Sequence, residues 1–409
     1  MERLTSWWVR VHSSLWFLPA VLTLAAAGLA TLTVWLDQRG FSVPEGSGFI
    51  LVAGAEGARG VLSTIAGSII TVTGVVFSIT IVVLQLASSQ FSPRVLRSFT
   101  QDRSNQLVLG VFIGTFTYAL LVLRTVRSEF ADYTRFVPTL SVNTAVLLAL
   151  ISMGFLIYFI DHIARSIQAE TIIARVTADA LEVVDRLFPE ELGTGADELA
   201  ALEWLQAAPM TVVTAASSGF LQSIDGQKLM RFAEQHDVVL RLEPRIGAFI
   251  IAGDPLISVI RGRAAGLPSD TLRESAVLGV ERTPFQDVER GLIELTDIAV
   301  RALSPGINDP TTALVCVHRL TEVFMRLGMR RFPSSVRKDG AGVVRVIAPH
   351  TEFGQLLSLA YARIRVHAER SPAVRTALVE SLQRLHTRLP VARATAVMAE
   401  LDKMRSGST

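Results

Sequence analysis

The sequence predicts an α-helical integral membrane protein, with four transmembrane helices followed by a C-terminal α+β region that contains a small barrel-sandwich-like β module. Composition is the first reason: 50% of the 409 residues are hydrophobic and only 19% are charged, with a mean hydropathy of +0.42. A soluble protein needs more charge than this on its water-facing surface. The second reason is that the long apolar segments all lie within residues 1–160. The third is that charge and strand-like patterns return after them.

Four segments are apolar and long enough to cross a hydrocarbon core, which requires about 20 residues of helix. They are residues 15–36, 61–87, 107–123 and 137–160, and they contain no charged residue. The first segment is longer than the apolar core of a signal peptide, about 7–15 residues, and three further spans follow it. We therefore expect the first segment to be retained as a span and residues 1–160 to form one transmembrane domain in contact with lipid.

The arginines near the spans predict the orientation. With four spans, both termini lie on the same side of the membrane. That side carries seven arginines close to the spans, against five on the other side, which favours the cytoplasm for both termini. The single cysteine, Cys316, forms no intramolecular disulfide and fits a reducing compartment.

Small and polar residues form one stripe along the second span, spaced three or four residues apart as on one face of a helix. Its candidate pore-lining members are Thr64, Ser68, Thr71, Ser78 and Gln85. One interpretation is a helix that faces water and lines an ion or small-solute path within an oligomer. The other is close packing between helices, for which Gly110 and Gly114 of the third span offer a GxxxG partner surface. The sequence leaves both interpretations open.

Apolar residues on the second span predict a gate. Val75, Ile81 and Val82 would form the narrowest level of such a path, where hydrophobic side chains close a pore by dewetting. We expect the region after the spans to control this level.

After the spans, the sequence predicts a helical stalk and linker at 161–209, a β module at 210–264 and a mainly helical domain at 265–409. Apolar residues of the stalk recur with a heptad-like spacing from Ala169 to Leu187. Such a helix packs either on its own domain or on neighbouring subunits. Together with the stripe of the second span, it predicts a homo-oligomer.

The β module is predicted from strand-like residues at 210–216, 238–242 and 248–251, separated by Pro and Gly. The stretch 242–256, with Ser218, Gly219 and Phe220 before it, resembles the barrel-sandwich hybrid of lipoyl-like domains. Lipoyl and biotin carriers need a lysine on an exposed hairpin, whereas Lys228 falls in a short predicted helix at 227–235. We therefore expect no swinging arm here, and a module that serves assembly or ligand binding.

The helical domain contains a turn at 303–312 between two amphipathic helices. Pro and Gly at 305 and 306 end the first helix, Asn308 or Asp309 can cap the second, and Pro310 suits its first position. A tight helix-turn-helix explains this pattern structurally. The alternative is that Arg301, Asn308 and Asp309 present polar groups to a ligand or partner.

Several long motifs resemble one bacterial family. They are residues 68–80 (SIITVTGVVFSIT), Gln90-Phe-Ser-Pro-Arg94, Arg282-Thr283 with Gln286-Asp287, and Arg301-Ala-Leu-Ser-Pro-Gly-Ile-Asn-Asp-Pro310. The family they resemble consists of predicted membrane proteins and is named as a domain of unknown function. The resemblance covers nearly the whole chain. It implies a bacterial inner-membrane protein, and it carries no activity, substrate or catalytic residue to this chain.

The sequence lacks the common motifs of catalysis. It contains no phosphate-binding loop, no Rossmann glycine fingerprint, no metal-ligand spacing among its seven histidines and no nucleophile elbow. The net charge of +2 gives no nucleic-acid footprint. We therefore expect no enzyme, no cofactor or metal, and no nucleic-acid partner. The hypothesis is a homo-oligomeric, channel-like protein for an unidentified ion or small molecule. The alternative is a membrane-anchored sensor or scaffold that binds a ligand or protein without transport.

Overall fold

The computed structural model describes residues 16–40, 54–90, 102–127, 136–166, 168–188, 209–262, 266–283 and 286–406, and the side chains of 87–90 lie outside this description. The chain divides into two compact units, Met1–Thr171 and Ile172–Thr409. The first is called the membrane unit below, and the second is called the C-terminal unit.

Four helices make up the described part of the membrane unit: α1 (Phe17–Gln38), α2 (Ala55–Gln90), α3 (Arg103–Leu123) and α4 (Thr139–Ser166). All four are long and apolar enough to cross a membrane, which confirms the predicted spans. Helices α2 and α4 extend past the predicted apolar segments, because the helical backbone continues into polar residues at their ends.

Helix α3 lies at the centre of the membrane unit, since α1, α2 and α4 all pack against it. Over an apolar stretch of 18 residues in α3, 56% of the residues are buried, against 22% over the corresponding stretch of each of the other three helices. The α1–α3 contact is close: a Cβ on Gly110 would lie 2.5 Å from Leu22 Cδ1, and one on Gly114 would lie 3.3 Å from Ala26 Cβ. The GxxxG motif therefore packs on the first span. The sequence-based suggestion that it serves as a partner surface for the second span is wrong.

Asp37 fastens the end of α1 to the start of α4. Its carboxylate accepts hydrogen bonds from the backbone N–H groups of Leu140 and Ser141, both at 2.9 Å, and from the Ser141 hydroxyl. N–H groups in the first turn of a helix have no partner within that helix. Tyr118 of α3 donates a further hydrogen bond to the Ser141 carbonyl. These polar groups are therefore satisfied by neighbouring helices, as an apolar environment requires.

The following part of the chain contains eight further α-helices and eight strands among the described residues. The helices are α5 (Ala169–Leu187), α6 (Gly226–Gln235), α7 (Ser269–Arg273), α8 (Val288–Ala302), α9 (Pro310–Gly328), α10 (Phe353–His367), α11 (Pro372–Arg388) and α12 (Val391–Ser406). The strands are β1 (Thr211–Thr214), β2 (Gly219–Ile224), β3 (Val239–Leu242), β4 (Phe249–Ile250), β5 (Pro255–Arg261), β6 (Ala276–Gly279), β7 (Val336–Lys338) and β8 (Val344–Ile347).

The β module consists of two sheets around one apolar core. The larger sheet has the strand order β1-β5-β3-β8-β7, and the smaller one has the order β4-β2-β6. Leu240 and Val259 of the larger sheet, Leu221 and Ile250 of the smaller one, and Phe232 of α6 belong to the same buried cluster. This arrangement agrees with the small sandwich-like module that the sequence predicts.

Two strands of the larger sheet come from far along the chain. Strand β8 pairs with β3 in parallel, and β7 then pairs with β8 in the antiparallel direction. The sheet therefore takes in residues well beyond the predicted module at 210–264, because parallel pairing joins segments that are distant in sequence. Lys228 lies on helix α6, where its ammonium forms an ion pair with Glu274 at 3.0 Å.

Helices α8 to α12 form the bundle of the C-terminal unit, and aspartates begin two of them. The carboxylate of Asp287 accepts from the N–H of Arg290 at the start of α8, and Asp309 does the same with Thr312 at the start of α9. Helix α9 packs on α8 and α11, while α12 packs on α10 and α11. The bundle core includes Tyr361, whose pKa burial raises to about 12.

The heptad-like stripe of α5 packs within its own chain. A Cβ on Gly291 of α8 would lie 2.7 Å from the Ala180 Cβ, so the two helices are in direct contact. Asp185 pairs with Arg326 and Arg330, and the hydrogen bonds from Arg326 hold the pKa of Asp185 below its ordinary value. The sequence left open whether this helix packs on its own domain or on neighbouring subunits. Its own domain provides the contact, so the stripe of α5 does not support a homo-oligomer.

Replacing Gly110 by alanine is expected to destabilise the membrane unit. The new Cβ would lie only 3.1 Å from the Pro19 Cα, a backbone atom that cannot rotate away. Overpacking of this kind costs about 1–3 kcal/mol, so the melting temperature in detergent should fall. Gly154→Ala on α4 is the matched control, since nothing lies within 4 Å of its added Cβ. Equal melting temperatures for the two variants would contradict the close α1–α3 contact.

Candidate functional site

The candidate pore-lining side chains all lie on one exposed face of α2, which we call the polar face. Thr64, Ser68, Thr71, Ser78 and Gln85 are exposed in the single chain. Their spacing of three, four or seven residues keeps them on one side of a helix that turns once every 3.6 residues. Their role as pore-lining groups stays a prediction, but their shared exposure is a property of the fold.

The opposite side of α2 holds the helix in the membrane unit. Ala58, Leu62, Ala66 and Val76 are almost fully buried there, and Ala58, Leu62 and Ala66 share a cluster with Tyr118 of α3. The packed side and the polar face are therefore on opposite sides of the same helix. Packing between the spans of one chain, the alternative that the sequence left open, does not account for the polar face.

Glycines confirm that nothing in the described chain packs on the polar face. A Cβ added to Gly60, Gly67 or Gly74 would meet no atom within 4 Å. The glycines of α3 differ, because Gly110 and Gly114 receive side chains of α1. The glycines of α2 therefore leave a shallow open groove rather than a filled contact.

A seven-residue repeat runs along this groove. Gly60, Gly67 and Gly74 are each followed four residues later by Thr64, Thr71 or Ser78. In the first two repeats the threonine hydroxyl donates to the glycine carbonyl at 2.8 Å. The polar stripe was predicted from the sequence and the glycine repeat was not, although its spacing alone reveals it. A sustained period of seven is the pattern of helices that associate with a left-handed supercoil.

The predicted gate residues are also exposed. Val75 and Val82 are 54% and 51% exposed and lie on the polar face, between Thr71, Ser78 and Gln85. Ile81 is exposed too, but at 100° per residue it lies to one side of that face. The described residues of a single chain therefore enclose no constriction here, and a gate would need side chains from more than one copy.

The other outward faces of the membrane unit have a different composition. On α4 the exposed side chains include Leu147, Leu150, Met153 and Ile157, and α1 exposes Leu24 and Leu32. Long apolar side chains of this kind suit contact with lipid. The polar face of α2 is the described face whose exposed side chains are mainly small or hydrogen-bonding, so it stands apart from the lipid-facing surfaces of the same unit.

The ends of α3 and α4 carry a cluster of polar contacts. His162 Nε2 lies 2.8 Å from Asp102 Oδ2, while the other oxygen of Asp102 accepts from the N–H of Ser104 and so caps α3. The Tyr158 ring stacks on the His162 ring at 5.6 Å and its hydroxyl donates to the Ser104 hydroxyl. Since each of these groups has a partner, the cluster has a structural role: it joins the start of α3 to the end of α4.

In the C-terminal unit, the residues of the predicted ligand site have separate roles. The carboxylate of Asp309 caps α9 through the N–H and the hydroxyl of Thr312, and Pro310 occupies the first turn. This confirms the cap that the sequence predicts. Asn308 is exposed with a φ of 49°, and neither it nor Arg301 bonds through its side chain to another residue of the described ranges. Asp309 is thus engaged in structure, and Arg301 and Asn308 keep polar groups available for a ligand.

A second motif of the C-terminal unit joins the β module to the bundle. Arg282 pairs with both Asp287 and Glu289. Burial lowers the pKa of the guanidinium, but the hydrogen bonds that it donates to Asp287 and Glu289, together with their negative charges, outweigh burial and raise its pKa. Glu289 also accepts from the Thr351 hydroxyl at 2.6 Å. The side-chain amide of Gln286 bonds the backbone at the end of β2. These residues hold the start of α8 against the β module, which gives the motif a structural role.

Comparisons with known proteins agree with this architecture. The model of a family described as "Predicted membrane protein (DUF2254)" matches residues 12–384. An uncharacterized protein of Mycobacterium tuberculosis (strain CDC 1551 / Oshkosh) is 39% identical over 330 residues, which cover 80% of this chain and 63% of that relative. An uncharacterized protein of Mycobacterium bovis (strain ATCC BAA-935 / AF2122/97) is 38% identical over 330 residues, with the same coverage. The chain thus spans 63% of the length of these relatives. No solved structure matches the chain.

Asp309→Ala is expected to lower the stability of the C-terminal unit. Loss of the cap leaves N–H groups of the first turn of α9 without a partner, at a cost of about 0.5–2 kcal/mol. The measurement is the melting temperature in detergent. Asp309→Asn keeps an acceptor at the cap and should retain most of the stability. An Asp309→Ala protein that melts at the wild-type temperature would show that the cap is not the role of this side chain.

Proposed function

This chain belongs to the DUF2254 family of predicted membrane proteins, and we propose that it forms a homo-oligomer in which the polar face of α2 lines a path for ions or small solutes. The single observation that carries this proposal is that the polar face is exposed in the chain, opposite the packed face of α2. Membrane lipid and further copies of the chain are the proposed partners.

Contact with lipid is a poor explanation for the polar face. Hydrocarbon cannot satisfy the side-chain amide of Gln85 or the hydroxyls of Ser68 and Ser78, for which the described residues offer no side-chain partner. The outward faces of α1 and α4 use long apolar side chains instead. Water or another copy of α2 would satisfy these groups, and both are present where several copies surround an axis.

The glycine repeat supports association through α2 itself. Gly60, Gly67 and Gly74 leave room for a neighbouring helix at every second turn, and small residues are what close contacts between membrane helices require. The period of seven keeps the same face toward a partner along the helix. Association of identical α2 helices would bring Val75 and Val82 of each copy together as an apolar constriction, which dewetting can close. Regulation of this gate by the C-terminal unit is part of the proposal.

A sensor or scaffold is the second candidate. The exposed Asn308 and the partly exposed Arg301 favour it, because they keep polar groups available beside a rigid, capped turn. In that case the spans anchor the C-terminal unit and the polar face conducts nothing. We propose no enzymatic activity and no nucleic-acid partner for either candidate.

Ser78→Asp tests the proposed path. Where the polar face lines water, the carboxylate wets the Val75–Val82 level, and flux of cations through proteoliposomes should rise. Where Ser78 faces lipid or a dry contact, the same change costs about 2.5–3.5 kcal/mol on insertion scales and impairs assembly without added flux. The measurement is ion flux, together with the mass of the particle in mild detergent.

Leu150→Asp is the matched control for that experiment, since Leu150 is exposed on α4 and outside the polar face. It should impair insertion and give no added flux. A monomeric mass at every concentration, or a well-assembled Ser78→Asp oligomer that does not conduct, would refute the proposed function.

The proposed location is the bacterial inner membrane, with both termini in the cytoplasm. The seven-to-five arginine distribution supports this orientation. A reporter fused after Thr409 should be active when it requires the cytoplasm and inactive when it requires the periplasm. The opposite pattern would reverse the orientation while leaving the proposed path untouched.

A further inference from the structure

Glu56 is the charged residue at the start of the polar face. It lies four residues before Gly60 and eight before Thr64, which keeps it on the same side of α2. Its side chain is exposed, whereas its neighbours Ala55 and Ala58 are 8% and 0% exposed. Since these alanines pack against the rest of the membrane unit, the direction of the first turn is fixed, and Glu56 extends from the polar face.

The nearest basic residue on α2 is turned toward a different helix. Arg59 donates through Nη2 to the backbone carbonyl of Val126, at 3.1 Å, beyond the end of α3. That hydrogen bond draws the guanidinium to the packed side of α2. Within the described ranges, no cation forms an ion pair with Glu56. The carboxylate therefore stands at this end of the polar face without an ion-pair partner among the described residues.

The rest of the polar face is electrically neutral. From Gly60 to Leu86 the sequence of α2 contains no Asp, Glu, Lys, Arg or His. Its polar groups are hydroxyls and one amide, which do not discriminate by the sign of an ion's charge. Among the described residues, Glu56 is therefore the charged side chain of the polar face, and it lies at one end of it.

We propose that Glu56 determines the charge selectivity of the path, with one carboxylate from each copy forming a ring at its mouth that favours small inorganic cations. This inference rests on the proposed function, because a ring exists only in the oligomer. Rings of acidic side chains at a pore entrance raise the local concentration of cations and exclude anions. A hydrated cation can pass such a ring without losing its water to the carboxylates. The ring therefore selects by the sign of the charge and does not distinguish one cation from another.

The test uses the full-length protein in planar bilayers under a potassium chloride gradient. Val75→Ser with Val82→Ser provides a background in which the apolar level is wetted without an added charge. In that background the reversal potential should lie near the potassium equilibrium potential. Glu56→Gln should reduce the ratio of cation to anion permeability by about tenfold. Glu56→Lys should reverse the preference, and Glu56→Asp should keep it.

Asp161→Asn is the matched control. Asp161 is an exposed carboxylate of the same unit, but it lies on α4 and pairs with Arg165 at 2.8 Å. Its removal changes the net charge by the same amount as Glu56→Gln and should leave the reversal potential unchanged. If both changes shifted the reversal potential equally, the effect of Glu56→Gln would be explained by net charge alone, and the inference would be overturned.

The outcomes separate this inference from the proposed function. If the background variant conducts and the Glu56 variants share its reversal potential, the role of Glu56 is refuted while the path stands. If no assembled variant conducts at all, the proposed path fails and the role of Glu56 fails with it. Glu56→Asp covers the case in which Glu56→Gln does not assemble: a selective Glu56→Asp channel supports the inference, and an unselective one refutes it.

Discussion

The packing of three spans on α3 is the interaction on which the membrane unit depends. Gly110 and Gly114 have no side chain, so α1 can pack closely on α3. An alanine-rich side of α2 packs against the end of α3 near Tyr118. Small residues matter here because helices in lipid gain little from apolar burial and associate mainly through close contact. Once α3 is covered, the surface that each outer helix turns outward is fixed as well.

The outward direction of the polar face follows from that packing. Helix α2 packs on α3 and α4, and the glycine repeat with its hydroxyls lies on a side that neither of them covers. Glycine allows α1 to approach α3 closely, and α2 also carries glycines, but no described helix packs on them. This contrast between filled and empty glycine contacts is the physical basis for proposing further copies of the chain around α2.

The C-terminal unit is held together by a different kind of interaction. Aspartate caps begin α8 and α9, and the Arg282 contacts with Asp287 and Glu289 lock the β module to the bundle. Charged hydrogen bonds with both partners mostly buried resist separation, because breaking one would leave a charge without a partner in a poorly hydrated place. These partnered charges therefore hold the β module against the bundle.

Features that depend on local composition and short spacings could be predicted before the fold was known. Uninterrupted apolar runs fixed the four spans, and the Asn-Asp-Pro order at 308–310 fixed a capped helix start, because each depends on residues within one or two turns. The polar stripe was equally visible as a period along one helix. Tertiary structure alone decided which helix receives Gly110 and Gly114, since a GxxxG motif does not encode its partner.

The same limit applies to the surfaces of the other elements. The heptad-like stripe of α5 looked equally suitable for a neighbouring subunit, and contact with Gly291 decided that it packs on its own chain. The parallel pairing of β8 with β3 joins residues about a hundred positions apart, which no local pattern specifies. Periodicity shows that a helix has two different faces, but it cannot show which of them the rest of the chain will cover. For α2, the three-dimensional packing covered the alanine side and left the polar face exposed.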